Sequence, residues 1–120
     1  FNLHLNFFRK YKKYFILPKI FKNVKTNILA YPVILNSKKI NKKMLQIFLE
    51  KNNIQTRPIF SGNILRHPAF HHLIKSKKHL SSFKNSDYIM KNGILIGCHQ
   101  GLKTNQIKYV HKKILEFINK

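Results

Sequence analysis

Acidic residues are nearly absent from this chain. Glu50, Asp87 and Glu116 are the whole set, against 24 lysines and arginines, and the net charge is +21 over 120 residues. Three carboxylates so far apart in sequence argue against acid–base catalysis by a carboxylate pair. Cysteine is as sparse: Cys98 stands alone, which excludes an internal disulfide and a cysteine zinc knuckle. No apolar run approaches the ~20 residues that a bilayer-crossing helix needs. Heptads and internal repeats are missing, so coiled-coil and solenoid architectures fall away. Gly93, Gly97 and Gly101 are spaced by four, which is neither the dinucleotide fingerprint nor a phosphate loop.

Hydrophobic residues nevertheless make up 43% of the chain, with 10 Phe and 5 Tyr. That is too apolar and aromatic for a disordered basic tail, and the length suits one domain with a modest core. The charge has two readings. A dense positive field attracts polyanions, with nucleic acid the obvious example. Yet only Arg9, Arg57 and Arg66 are arginines, and base reading leans on arginine forks, so a plain lysine-coated surface is the other reading.

His4, Phe8, Tyr11 and Phe15 share helical spacing, so residues 1–17 read as an amphipathic helix ended by Pro18. Its mixed basic and apolar residues do not form a signal peptide, and the chain is expected to begin inside an element. Residues 19–27 read as a connector. Residues 28–35 read as a strand, with Pro32 suggesting an edge position or a bulge. Asn36-Ser37 turns the chain. Asn41 is expected to cap a helix through Lys51 whose apolar face is Ile40, Met44, Ile47 and Phe48. Residues 54–60 read as a second strand, and His67-Pro68 opens a short helix. Residues 75–82 read as a basic loop, 83–92 as a helix and 94–98 as a strand. Ile107, Val110, His111, Ile114, Phe117 and Ile118 mark a final helix. The order predicts a two-layer α/β (α+β) domain with helices packed on one small sheet.

Few residues suggest chemistry. His67, His71, His72 and His79 invite a metal, but such sites usually add a carboxylate or thiolate, and surface histidines are expected. Cys98 and His99 point to opposite faces of a strand, so they make no nucleophile–base pair, and Cys98 is expected in the core. The distinctive stretch is Thr56-Arg57-Pro58-Ile59-Phe60-Ser61-Gly62-Asn63-Ile64-Leu65-Arg66-His67-Pro68-Ala69-Phe70. Two arginines and an asparagine flank a glycine turn, and arginine offers phosphate or carboxylate a planar fork that lysine lacks. A turn with two merely exposed arginines fits the spacing equally well.

That stretch closely resembles a motif of the DegT-type pyridoxal-phosphate-dependent sugar aminotransferase family. Within it, the resemblance is nearest to the nucleotide-sugar 3-dehydrases of deoxysugar and lipopolysaccharide biosynthesis, which act on substrates such as CDP-4-keto-6-deoxyglucose. Tyr14-Phe15-Ile16-Leu17-Pro18 is similar to the end of the family's interdomain helix. Asn85-Ser86-Asp87-Tyr88-Ile89-Met90 and Ile96-Gly97-Cys98-His99-Gln100-Gly101-Leu102 are similar to its last helix-to-strand passage. The sequence departs from the family pattern at Ser81-Ser82-Phe83-Lys84 and at Lys103-Thr104-Asn105-Gln106, where an acidic helix start is usual.

The resemblance implies a fold-type I transferase, of which residues 1–17 would end the interdomain helix and residues 18–120 would form the small C-terminal domain, with a mostly antiparallel sheet. The large domain of such enzymes holds pyridoxal or pyridoxamine phosphate and supplies the Schiff-base lysine, or the histidine that replaces it, so no catalytic residue is assigned here. An iron–sulfur cluster is assigned to no residue either. The implied substrate is a nucleotide-linked keto-deoxysugar, undergoing 3-dehydration or transamination in a cytoplasmic homodimer. By position, Arg57, Asn63 and Arg66 would contact the substrate diphosphate or sugar, and His99 would lie on the turn facing the active site. Alone, the chain is not expected to be catalytically complete. The rival expectations are a small basic nucleic-acid-binding protein and an inactive remnant of the enzyme.

Overall fold

The pattern of residues 30–35 sets the sheet. In the computed structural model, which describes residues 1–24, 28–36, 38 and 40–119, strand β2 (Ala30–Leu35) buries Tyr31, Val33 and Leu35 on one face. Strand β4 (Gly93–Gly97) pairs with it antiparallel, setting Tyr31 opposite Ile96 and Val33 opposite Ile94. Strand β1 (Phe15–Ile16) flanks β2, strand β3 (Thr56–Pro58) flanks β4, and the order is β1-β2-β4-β3, antiparallel throughout. Because side chains alternate along a strand, the buried set shares one face. Onto it pack Phe8 from helix α1 (Asn2–Lys10), Leu45 and Leu49 from α2 (Lys42–Lys51), and Ile114 from α5 (Thr104–Ile118). This is the two-layer α/β arrangement expected, with the sheet covered by helices. No helix among the described residues is long and apolar enough to cross a membrane.

Several local expectations are corrected. The first helix stops at Lys10 rather than at Pro18. Tyr11 leaves helical geometry, and the Tyr14 and Phe15 amides donate to the Tyr11 carbonyl in a tight turn. Phe15 and Ile16 then pair with Leu35 and Ile34, so strand pairing overrides the helical spacing. Pro32 does not lie on an edge strand, since β2 is interior. However, β1 reaches only to Ile34, so at Pro32 that flank of β2 is unpaired and the missing N–H costs no ladder bond. The buried face of α2 is Leu45 and Leu49, while Met44 is 62% exposed. Asn41 does cap it, its Oδ1 accepting from the Met44 amide at 3.2 Å.

The second strand is only three residues long, and the chain beyond it turns through Phe60 (φ +45°) and Gly62 (φ +64°). Pro68–Leu73 is a 3₁₀ helix that buries nothing, after a shorter one at Ile64–Arg66. The expected basic loop contains helix α3 (Lys77–Ser81), because Ser76 Oγ accepts the His79 amide at 3.0 Å. Helix α4 (Lys84–Asn92) leads straight into β4. Ser37 and the end of the 19–27 connector lie outside the described residues.

Candidate functional site

A cleft of about 730 Å³ opens where β3, β4 and the first turns of α5 meet. Arg57 lines it, and its position follows from the residue before it. Thr56 is buried, opposite Ile96, with its amide and hydroxyl donating to Glu50 Oε1 at 2.7 and 2.8 Å. Those two hydrogen bonds hold the Glu50 carboxyl below the usual carboxylate range. With Thr56 turned inward, strand alternation sends Arg57 to the opposite face, across from Leu95. Among the described residues the two ion pairs are Arg66–Asp87 and Lys113–Glu116, so Arg57 is in neither.

His99 also lines the cleft, from the turn after β4. The Leu102 amide donates to the His99 carbonyl at 3.1 Å, and the Gly101 amide donates to His99 Nδ1 at 3.2 Å. An accepting Nδ1 puts the proton of the neutral ring on Nε2, leaving that nitrogen a donor. The turn is tight: a Cβ at position 101 would sit 3.1 Å from His99 Nδ1. Asn105, Gln106 and Tyr109 complete the polar lining from α5, whose start is closed by Gln106 Oε1 accepting the Lys103 amide at 2.8 Å. Asn53, in the left-handed region at φ +57°, lines the cleft as well.

Of the four residues predicted for the site, Arg57 and His99 therefore meet in one cleft. Asn63 and Arg66 do not line it. Asn63 is 2% exposed, with Nδ2 donating to Asp87 Oδ1 at 2.7 Å and Oδ1 accepting the Leu65 amide at 3.1 Å. Arg66 grips the same carboxylate as a fork, Nε to Oδ1 at 2.9 Å and Nη2 to Oδ2 at 2.5 Å. Arg66 first and Asn63 second hold the Asp87 carboxyl down at about 2. Together they tie the glycine turn to α4.

Sequence reasoning missed Asn105, Gln106 and Tyr109, and also His4, which lines the cleft from α1 and donates from Nε2 to the Gly97 carbonyl at 3.0 Å. A histidine on the apolar stripe of α1 was the available signal. Of the histidines weighed as metal ligands, His67 bonds the Ser61 carbonyl at 2.8 Å, and His71 and His72 are exposed. No group of three His, Cys, Asp or Glu able to hold a metal occurs among the described residues. Cys98 is half-buried against the core rather than within it.

The model of the DegT/DnrJ/EryC1/StrS aminotransferase family matches residues 8–115, nine-tenths of the chain. The chain belongs to this family. A dTDP-4-dehydro-2,6-dideoxy-D-glucose 3-dehydratase from Saccharopolyspora spinosa is 38% identical over 73 residues, covering 61% of this chain and 15% of that protein. The lipopolysaccharide biosynthesis protein RfbH of Salmonella typhimurium is 35% identical over 78 residues, covering 65% of this chain and 17% of RfbH. The DegT-family fold is matched by the Escherichia coli GDP-4-keto-6-deoxy-D-mannose-3-dehydratase with bound hydrated PLP, at a TM-score of 0.75 and 20% identity, over 93% of this chain and 28% of that one. The chain thus spans less than a fifth of the length of the curated relatives it matches.

Proposed function

We propose that this chain is the small C-terminal domain of a pyridoxal-phosphate-dependent enzyme that modifies a nucleotide-linked keto-deoxysugar for lipopolysaccharide or deoxysugar biosynthesis. The observation that carries it is the family match over residues 8–115 coinciding with a cleft walled by Arg57 and His99. Two relatives named for a sugar 3-dehydratase and for lipopolysaccharide biosynthesis favour 3-dehydration over transamination. In this reading the enzyme is a cytoplasmic homodimer.

Arg57 is the residue for the diphosphate. A guanidinium delivers two parallel charge-assisted hydrogen bonds, and it stands on a strand whose start is pinned by Glu50. His99 donates from Nε2 across the cleft to a phosphate or sugar oxygen. Asn63 and Arg66 serve the site through the turn they lock, and Arg66 reaches substrate only where the Asp87 clasp leaves its guanidinium open. Pyridoxal phosphate needs an amine for its aldehyde and an acid for its ring nitrogen. The cleft lining offers no lysine for a Schiff base and no carboxylate for the ring nitrogen, and no chemical step is assigned to it. In the proposed enzyme the cofactor belongs to the large domain, and this chain binds and orients substrate.

The test is calorimetric titration of the native full-length protein with GDP, CDP, dTDP and UDP. One of the four binds, and Arg57→Ala weakens it about tenfold or more. Binding of none, or equal binding by the variant, overturns the proposal. A native mass far above 14.3 kDa is expected of the same sample.

A second reading, non-specific binding of nucleic acid, rests on the +21 charge alone. It predicts DNA affinity that collapses with rising salt and does not discriminate sequence.

A further inference from the structure

Two imidazoles fasten α1 to the sheet and to α5. His4 is fully buried, its Nε2 3.0 Å from the Gly97 carbonyl oxygen and its Nδ1 3.0 Å from His111 Nε2. A carbonyl only accepts, so His4 Nε2 carries a proton and donates it. In the neutral ring His4 Nδ1 is then the acceptor, and His111 Nε2–H is its donor. Phe7 stacks on the His111 ring, centroids 4.0 Å apart and planes 1° from parallel. Phe8 and Tyr31 close around His4. While both rings are neutral, His4 is satisfied at both of its nitrogens.

Charge is another matter. A first extra proton adds a positive charge that no carboxylate among the described residues balances, and a second would set two N–H groups face to face. On α1 the neighbouring charges are Arg9 and the α-amino group of Phe1, and on α5 they are the exposed Lys108 and Lys112. The sheet contributes Cys98 and the Tyr31 phenol, which burial pushes up to about 12 and so keeps neutral. The three carboxylates are committed elsewhere: Glu50 to Thr56, Asp87 to Arg66 and Asn63, Glu116 to Lys113. An imidazolium at this junction is therefore buried without a counter-charge, which is costly.

We propose that the His4–His111 pair is an acid-released latch: on gaining a proton it unfastens α1 from α5 and from β4, and frees Gly97, one residue before the half-buried Cys98 and two before His99. Burial, and then the neighbouring His4, bring His111 down to about 4 from 6.5. Burial also lowers His4, partly opposed by its bond to Gly97. Folded values below the unfolded one mean that the latch holds fully above 6.5 and is lost as pH falls through about 4. Weaker ligand binding by the loosened cleft follows only if the cleft is a substrate site, as proposed above. The release of α1 does not depend on that reading.

Amide hydrogen exchange on the native full-length protein, without nucleotide and normalised to intrinsic rates, tests it between pH 7 and 4.5. Protection of α1 is expected to fall about tenfold or more relative to β2 and β4 over that range. His111→Gln, which supplies a neutral donor, shrinks the loss. Protection of α1 that follows the sheet at every pH, or an equal loss in the variant, overturns the latch. Should the variant fail to fold, nitrogen-15 spectra of the wild-type imidazoles decide: both rings neutral at pH 6 with His4 protonated on Nε2 supports it, and a charged ring at pH 6 overturns it. Failure of nucleotide binding with α1 release intact sinks only the substrate reading.

Discussion

Gly62 shows how much can rest on the absence of one carbon. Its φ of +64° lies where side chains are strained, and a Cβ there would fall 2.5 Å from Met90 Cβ and Cγ. Gly62→Ala is expected to destabilise the native protein by ~1–3 kcal/mol in urea unfolding. The neighbouring clasp makes a second prediction. Asp87 sits at about 2 in the fold against 3.8 ordinarily, so its contribution is present above 3.8 and lost as pH falls through about 2. Asp87→Asn should lower the thermal midpoint at pH 7, and the deficit should narrow as pH drops below 3.8; an unchanged midpoint at pH 7 would refute the clasp. Arg57, Gly62, Asn63 and Arg66 all stood out in the sequence as a motif. That Asn63 and Arg66 both bind Asp87 while Arg57 lines the cleft could not be read there, because Asp87 is 21 residues from Arg66 along the chain.

Among the elements, α2 separates spacing from burial. Met44 and Ile47 fit an apolar helical stripe as well as Leu45 and Leu49 do, yet the fold buries the leucines. Leu49→Ala should cost ~2–5 kcal/mol, since the side chain is fully buried. Met44→Ala should stay within ~0.5 kcal/mol. Equal losses in the two variants would mean that the helix is rotated from the orientation described. The first helix makes the complementary point: periodicity favoured helix to Pro18, but Phe15 and Ile16 gain backbone partners on β2 that a helix would deny them. Helix α5 was legible throughout, because Ile107 and Ile114 lie two turns apart and both reach the core.

For the molecule as a whole, scarce acid has a structural consequence. Each of the three side-chain carboxylates is committed within the fold, so among the described residues the lysine surface has few counter-charges and the His4–His111 junction has none to draw on. Native protein should therefore bind duplex DNA non-specifically, with affinity that falls steeply between ~50 and ~200 mM salt and is equal for unrelated sequences. Sequence discrimination, measured by competition, would overturn the sugar-nucleotide reading.

Composition and order, on their own, determined the class of domain, its excluded chemistries, the final helix and the family motif around Gly62. All of these are local or additive properties of the chain: charge counts, 3.6-residue spacing and contiguous residues. Only the tertiary structure decided that β2 lies inside the sheet, that Arg57 and His99 line the same cleft, and that His4 meets His111 from 107 residues away. Those are pairings between distant segments, set by which apolar faces can be buried together, and no local pattern encodes them.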